Sequence, residues 1–160
     1  MKIAIGADHK GFAIKETLKS YLRMTGHDVN DFGTYSEESA DFSDFAIKTA
    51  DAVVRKGAER GILICMTGNG MAIAANKVRG IRAGLALNRE MAELTRTHND
   101  ANVLVLSSRF TPKDEMIMII DKFLSTKFEG GRHKRRIEKI RKYEAKSNVR
   151  RTKKKRSRNL

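Results

Sequence analysis

Short apolar runs alternate along most of the chain with segments whose apolar residues stand three or four apart. Lys2 to Ala7, His27 to Asp31, Ile62 to Cys65, Ile81 to Leu87 and Val103 to Ser107 are stretches of strand length flanked by turn-forming or charged residues, which predicts five strands. Between them, Ile14, Leu18, Tyr21 and Leu22 stand at helical spacing before a stop near Gly26. Phe42, Phe45, Ala46, Thr49, Ala50, Val53 and Val54 repeat the pattern behind Asp41, a fitting N-cap. Gly70 to Lys77 and Arg89 to about Thr97 supply two further helices. After Pro112, the only proline, Met116 to Leu124 is apolar nearly all round, which predicts a buried helix suited to a subunit contact. Such alternation predicts a three-layer, Rossmann-like α/β fold: a parallel sheet of about five strands with helices on both faces.

One junction stands out chemically. The run Ile62-Leu63-Ile64-Cys65 is broken by Thr67-Gly68-Asn69-Gly70 before an alanine-rich helix, and a strand, glycine loop and helix in that order aim backbone N–H groups and a positive helix end at the loop. That field suits a phosphate or a developing oxyanion. Cys65 lies at its rim, where nearby positive charge is expected to lower a thiol pKa and make an acid/base or a nucleophile. The competing reading is a small buried hydrophobe, the commonest fate of a lone cysteine. The loop lacks the third glycine of a dinucleotide fingerprint and the Gly-Lys-Ser/Thr ending of a nucleoside-triphosphate loop, so no cofactor is indicated.

Charge changes the picture only at one end. The 160 residues carry a net charge of +14, but Arg132 to Leu160 holds 15 Lys/Arg against Glu138 and Glu144, leaving Met1 to Gly131 at +1. Residues 147–160 carry seven Lys/Arg and no acid, and are expected to form a basic, disordered tail behind a domain of residues 1–146. The tail is either a solvated end or a salt-sensitive tether to a polyanion. A single cysteine rules out an internal disulfide framework and fits a reducing cytosol. No apolar run is long enough to predict a membrane span or a secretory leader, so a cytoplasmic location is expected.

Further polar groups gather at predicted element ends: Asp8-His9, His98-Asn99-Asp100, Arg109, and Arg132 with Arg136, four apart and so on one helix face if that segment is helical. Two guanidinium groups so placed could clamp a dianion such as a phosphate. Singly, each residue has a structural explanation as a turn former, a helix end or solvated charge. As an ordered set, with Ile5-Gly6-Ala7-Asp8-His9-Lys10-Gly11, Asp31-Phe32-Gly33-Thr34, Gly61-Ile62-Leu63-Ile64-Cys65, Thr67-Gly68-Asn69-Gly70, Ala74-Ala75-Asn76-Lys77, His98-Asn99-Asp100-Ala101-Asn102-Val103 and Glu129-Gly130-Gly131-Arg132-His133, they resemble the type B ribose-5-phosphate isomerases. That family of sugar-phosphate isomerases includes the subunits of galactose-6-phosphate isomerase.

The resemblance implies interconversion of an aldose phosphate and its ketose through an enediolate, without metal or cofactor. It implies Cys65 as the base, His98 as the acid/base that opens the sugar ring, and Asp8 and Thr67 near the sugar oxygens. It also implies the N–H groups of Met66, Thr67, Gly68, Asn69 and Gly70 as the anion cradle. His9, Arg132 and Arg136 match phosphate-holding positions, and Asn99 and Arg109 match residues that line the site from a partner subunit of a homodimer or tetramer. Met66 stands where the family usually has glycine, which implies either backbone strain or a narrower pocket. Phe42 and Ser43 stand where it usually has tyrosine and proline. The retained His98-Asn99-Asp100 run favours ribose 5-phosphate over a six-carbon substrate such as allose 6-phosphate or galactose 6-phosphate. The rival from another class is an inactive isomerase fold that binds nucleic acid through its basic tail.

Overall fold

A computed structural model describes the backbone of residues 1–156 and the side chains of residues 1–146. Five parallel strands form one sheet: β1 (Lys2–Ala7), β2 (Asp28–Asp31), β3 (Arg60–Cys65), β4 (Ala83–Leu85) and β5 (Val103–Ser107), in the order β2-β1-β3-β5-β4. The connecting helices are α1 (Phe12–Met24), α2 (Phe42–Val54), α3 (Asn69–Ala75), α4 (Arg89–Asn99) and α5 (Lys113–Ser125). Strand side chains alternate between faces. Ile3, Ile5, Ile62, Ile64, Leu104 and Leu106 pack with residues of α1, α4 and α5, while Ala4, Leu63, Cys65, Val103 and Val105 pack with α2 and α3. Both faces are covered, which is why the central strands are apolar without interruption.

Several sequence expectations are modified. The fourth strand is ladder-paired with β5 only over the three residues Ala83–Leu85; Arg82 and Ala86 on either side keep single backbone contacts to the β5 segment, the Arg82 carbonyl accepting the Asn102 N–H and the Ala86 N–H donating to the Val105 carbonyl, both at 3.1 Å. Asp41 occupies the N-cap of α2 with extended backbone, yet its side chain caps nothing. In α4, by contrast, Asn88 accepts the Met91 N–H at 2.9 Å. The apolar α5 buries Met116, Ile119, Ile120 and Phe123 on one face and leaves Met118 37% exposed, so it is not enclosed on every side.

Periodicity gave no warning of Lys15. It occupies a core-facing position of α1 and is fully buried, its Nζ 2.6 Å from both oxygens of Asp31 at the end of β2. Lys19 reaches the same carboxylate at 2.7 Å. Burial alone would raise the Asp31 pKa, but the hydrogen bonds from Lys15, Lys19 and the Gly33 N–H outweigh it and hold the carboxyl below its ordinary value.

The chain divides into two compact units, Met1–Phe128 and the segment from Glu129 onward. The second unit is dominated by α6, whose backbone is helical from Gly131 to Arg156. Helix therefore continues through the 146/147 boundary drawn from composition, and ten residues of the tail expected to be disordered carry helical backbone. Residues 132–156 contain no glycine or proline and many lysines and arginines, all compatible with a helix. Residues 157–160 lie outside the described residues.

Candidate active site

The strand order reverses between β1 and β3: the chain leaves β1 toward β2 on one side and returns to β3 on the other. Ligands of open α/β sheets bind beyond the C-terminal ends of strands at such a switch point. Ala7 pairs with Ile64, and the Asp8 N–H donates to the Ile64 carbonyl at 3.2 Å, so Asp8 and Cys65 emerge side by side there. The buried Asp8 carboxylate accepts the N–H groups of Lys10 (2.9 Å) and Gly11 (3.0 Å). Burial raises its pKa against the pull of those donors. Gly11 rides directly on β3, where a Cβ would lie 2.5 Å from the Ile64 carbonyl oxygen. Only glycine lets the two strand ends approach this closely.

Cys65 is 5% exposed, and its Sγ accepts the Gly68 N–H at 3.0 Å. The expectation of a lowered thiol pKa is corrected here. Burial pushes the pKa up, and the Asp8 charge adds to that, so the N–H groups of Gly68, Met71 and Thr67 reduce the rise without reversing it. Desolvation of a thiolate in an apolar wall outweighs the loop's positive field. The cradle of N–H groups is also partly engaged: Gly68 serves the sulfur, and the Asn69 N–H donates to Thr67 Oγ1 at 3.4 Å.

Local shape follows from two residues the loop cannot exchange. Gly68 sits at φ +85°, and a Cβ on it would lie 2.4 Å from Leu85 Cδ1. Gly70 lies under the Phe42 ring, whose edge would be 2.9 Å from a Cβ at that position. Phe42 thus forms a wall of the loop. Met66 is not strained: the non-glycine residues at positive φ, among those described, are Lys56 and Asp100. Its side chain is 43% exposed, so of the two consequences expected from the missing glycine, backbone strain is removed. The Met66 carbonyl is held by Ser107 Oγ at 2.6 Å and by the Arg109 N–H at 3.1 Å. Ser107, fully buried and paired with Cys65 in the sheet, was missed by sequence reasoning; a polar residue ending an apolar run was the available signal.

His9 Nδ1 accepts the Ala40 N–H at 3.3 Å, and Arg109 follows β5 with an exposed side chain, both on the Cys65 edge of the sheet. His98 and Asn99 are not on that edge. They end α4, which delivers the chain to the start of β5, where the Gly61 N–H donates to the Asn102 carbonyl at the opposite end of β3 from Cys65. Gly61 and Cys65 are about 13 Å apart along that strand at roughly 3.3 Å per residue. In a single chain His98 and Cys65 therefore stand toward opposite ends of the sheet. The end of α4 is firmly held, because Asp100 turns left-handed at φ +46° and its carboxylate bonds Arg82 (2.8 Å) and Arg96 (2.9 Å). The Arg82 Nε donates to the carbonyls of Asn99 and Asp100. Arg132 and Arg136 lie in the second unit, both exposed and one turn apart on α6.

The sequence profile of the ribose/galactose isomerase family matches residues 3–140. A probable ribose-5-phosphate isomerase B of Mycoplasma genitalium is 46% identical over 145 residues, 89% of this chain and 95% of that protein. Ribose-5-phosphate isomerase B of Escherichia coli is 45% identical over 139 residues, 87% of this chain and 93% of that protein. Among solved structures, the ribose-5-phosphate isomerase B of Clostridium thermocellum superposes with a TM-score of 0.90 at 47% identity, covering 92% of this chain and 99% of that one. The Mycoplasma genitalium enzyme with bound ribulose-5-phosphate gives 0.87 at 45% identity, covering 90% and 96%. A five-stranded parallel sheet with a buried thiol and carboxylate at its switch point, matched over nearly the whole length of these relatives, makes this chain a member of the ribose/galactose isomerase family.

Proposed function

We propose that this protein interconverts ribose 5-phosphate and ribulose 5-phosphate through an enediolate. The observation that carries the reading is the Cys65 sulfur beside Asp8 at the switch point, touched by the Gly68 N–H. A relative of the same fold holds ribulose-5-phosphate. Cys65, as thiolate, takes the proton from C2 of the open-chain aldose and returns it to C1. Negative charge that moves onto the carbonyl oxygen is met by N–H donors of the Met66 to Gly70 loop, whose fixed positions cost no reorganisation as the charge forms. Thr67 and Asp8 bind sugar hydroxyls, and His98 moves the proton that opens the ring. His9, Arg132 and Arg136 bind the phosphate, which holds C1 and C2 against the sulfur. Asn99 and Arg109 complete the lining.

The functional unit is a homodimer with shared sites, itself able to pair into a tetramer. His98 and Asn99 leave the sheet at the opposite edge from Cys65, so a site that uses all three draws them from two chains. Exposed apolar side chains beside the loop, Met66 and Phe110 at 43% and 59%, supply a surface for such a contact. The lone cysteine supports a reducing cytosolic setting, and among the described residues no helix is long and apolar enough to cross a membrane.

The test measures conversion of ribose 5-phosphate, allose 6-phosphate and galactose 6-phosphate by wild type, Cys65→Ala and Met66→Gly, without added metal. Ribose 5-phosphate is expected to be the best substrate, and Cys65→Ala to lose about 10²–10⁴-fold in kcat/KM. Equal rates for wild type and Cys65→Ala would remove the thiol from the mechanism.

A further inference from the structure

We infer that α6 carries a binding surface for the phosphate backbone of a nucleic-acid duplex, separate from the isomerase site. Eight Lys/Arg side chains are exposed between Arg132 and Lys146, and the helical backbone continues to Arg156. At 100° per residue, positions 135, 139, 142, 146, 150, 153 and 154, every one Lys or Arg, fall within about 120° of the helix circumference and run about 29 Å along it. Glu138 and Glu144 lie outside that arc, and the buried His133 and Ile137 lie on the far side. Arg132 and Arg136 begin the same line but are assigned to the substrate and are left out of the argument.

The line is costly for an isolated helix. The pairs 135/139, 142/146, 146/150 and 150/154 are like charges four apart, each unfavourable by about 0.2–0.5 kcal/mol, and Glu138, three after Arg135 and four before Lys142, is the one acid spaced to offset any of them. A polyanion turns that cost into attraction. Duplex nucleic acid fits best: it presents about one charge per 1.7 Å of axis, and a straight helix can follow its phosphates. Base stacking is not part of the design, since Tyr143 is the only aromatic residue of α6. A membrane surface fits less well, because beyond Tyr143 the helix offers only Ala145 and Val149 as apolar residues and so has no face to sink among lipids. Positions 142–154 also lie past the end of the family's sequence profile at residue 140.

The experiment titrates the full chain into labelled DNA and RNA duplexes of about 20 base pairs, and into phosphatidylserine vesicles, between about 50 and 200 mM salt. Wild type is expected to bind a duplex with steep salt dependence and to prefer it over vesicles. Lys139→Glu/Lys142→Glu is expected to weaken duplex binding at least about 10-fold and to flatten the log–log salt slope by about 2. The equally charged control Lys134→Glu/Arg141→Glu, off the line, is expected to stay within about 3-fold of wild type. Circular dichroism confirms the helix in each variant. A truncation after Lys146 provides a second readout, expected to lose duplex affinity while keeping isomerase turnover. Equal losses in the two double variants, tighter binding to vesicles, or no duplex binding by wild type would each overturn the proposal. Loss of turnover by Cys65→Ala with duplex binding intact keeps the two readings distinct.

Discussion

The Cys65 sulfur has to lose a proton before it can take one, and its surroundings oppose that. Burial and the Asp8 carboxylate hold the thiol pKa above its ordinary value, so the thiol is protonated at neutral pH in the free protein and kcat/KM is expected to climb as pH rises through that pKa. Asp8→Asn removes the repulsion and is expected to move the thiol titration to lower pH, read as thiolate ultraviolet absorbance or as the pH dependence of alkylation. An unchanged titration would mean that the carboxylate does not act on the sulfur. Gly68→Ala forces a side chain into positive φ and against Leu85; a loss of about 1–3 kcal/mol in urea unfolding and a fall in kcat/KM are expected together, because the Gly68 N–H that meets the sulfur moves with the strain.

Among the elements, α1 and β2 are tied by a buried charge rather than by apolar contact alone. Removing the carboxylate in Asp31→Ala leaves the buried Lys15 with only the more exposed Glu16 carboxylate at 3.1 Å, and a destabilisation below the roughly 3–5 kcal/mol of a wholly uncompensated buried charge is expected in urea unfolding. Because the folded Asp31 pKa is depressed, its contribution is fully present above the unfolded carboxyl pKa and is lost as pH falls through the folded value. The stability difference between wild type and Asp31→Ala should therefore narrow on acidification into that range, and a constant difference would argue against the ion pair. The end of α4 shows the same principle. Asp100, clamped between Arg82 and Arg96, sets where the helix stops and hence where His98 and Asn99 stand.

At the scale of the whole molecule, Cys65 and His98 stand toward opposite strand ends of one sheet. If Cys65 of one chain works with His98 of another, mixing Cys65→Ala and His98→Ala chains after unfolding and refolding yields mixed dimers with one intact site. About a quarter of wild-type activity is expected from an equal mixture, against near zero for either variant alone. Absence of recovery in verified mixed dimers would place both residues in the same chain's site. Much of this architecture was legible in the chain. β1 and β5 lie where the apolar runs place them, and the Cys65 loop is a strand, a glycine turn and a helix, because the covered central strands admit little but apolar residues and a sharp turn into a helix requires glycine. The edge strand was read too long, since Ile81 is buried without belonging to the ladder and looks like a strand residue for that reason, while Ala86 keeps only a single N–H bond to Val105.

What the order of residues determined by itself is the alternation of elements, the place of the reactive loop and the charge gathered on one terminal helix. Each rests on spacing along a single segment, which periodicity and composition record. Only the folded chain decided the direction of the Cys65 pKa, the partner of Lys15 and the separation of His98 from the sulfur. Those depend on which groups meet across the sheet and on how much water is excluded when they do, and neither quantity belongs to any one stretch of sequence.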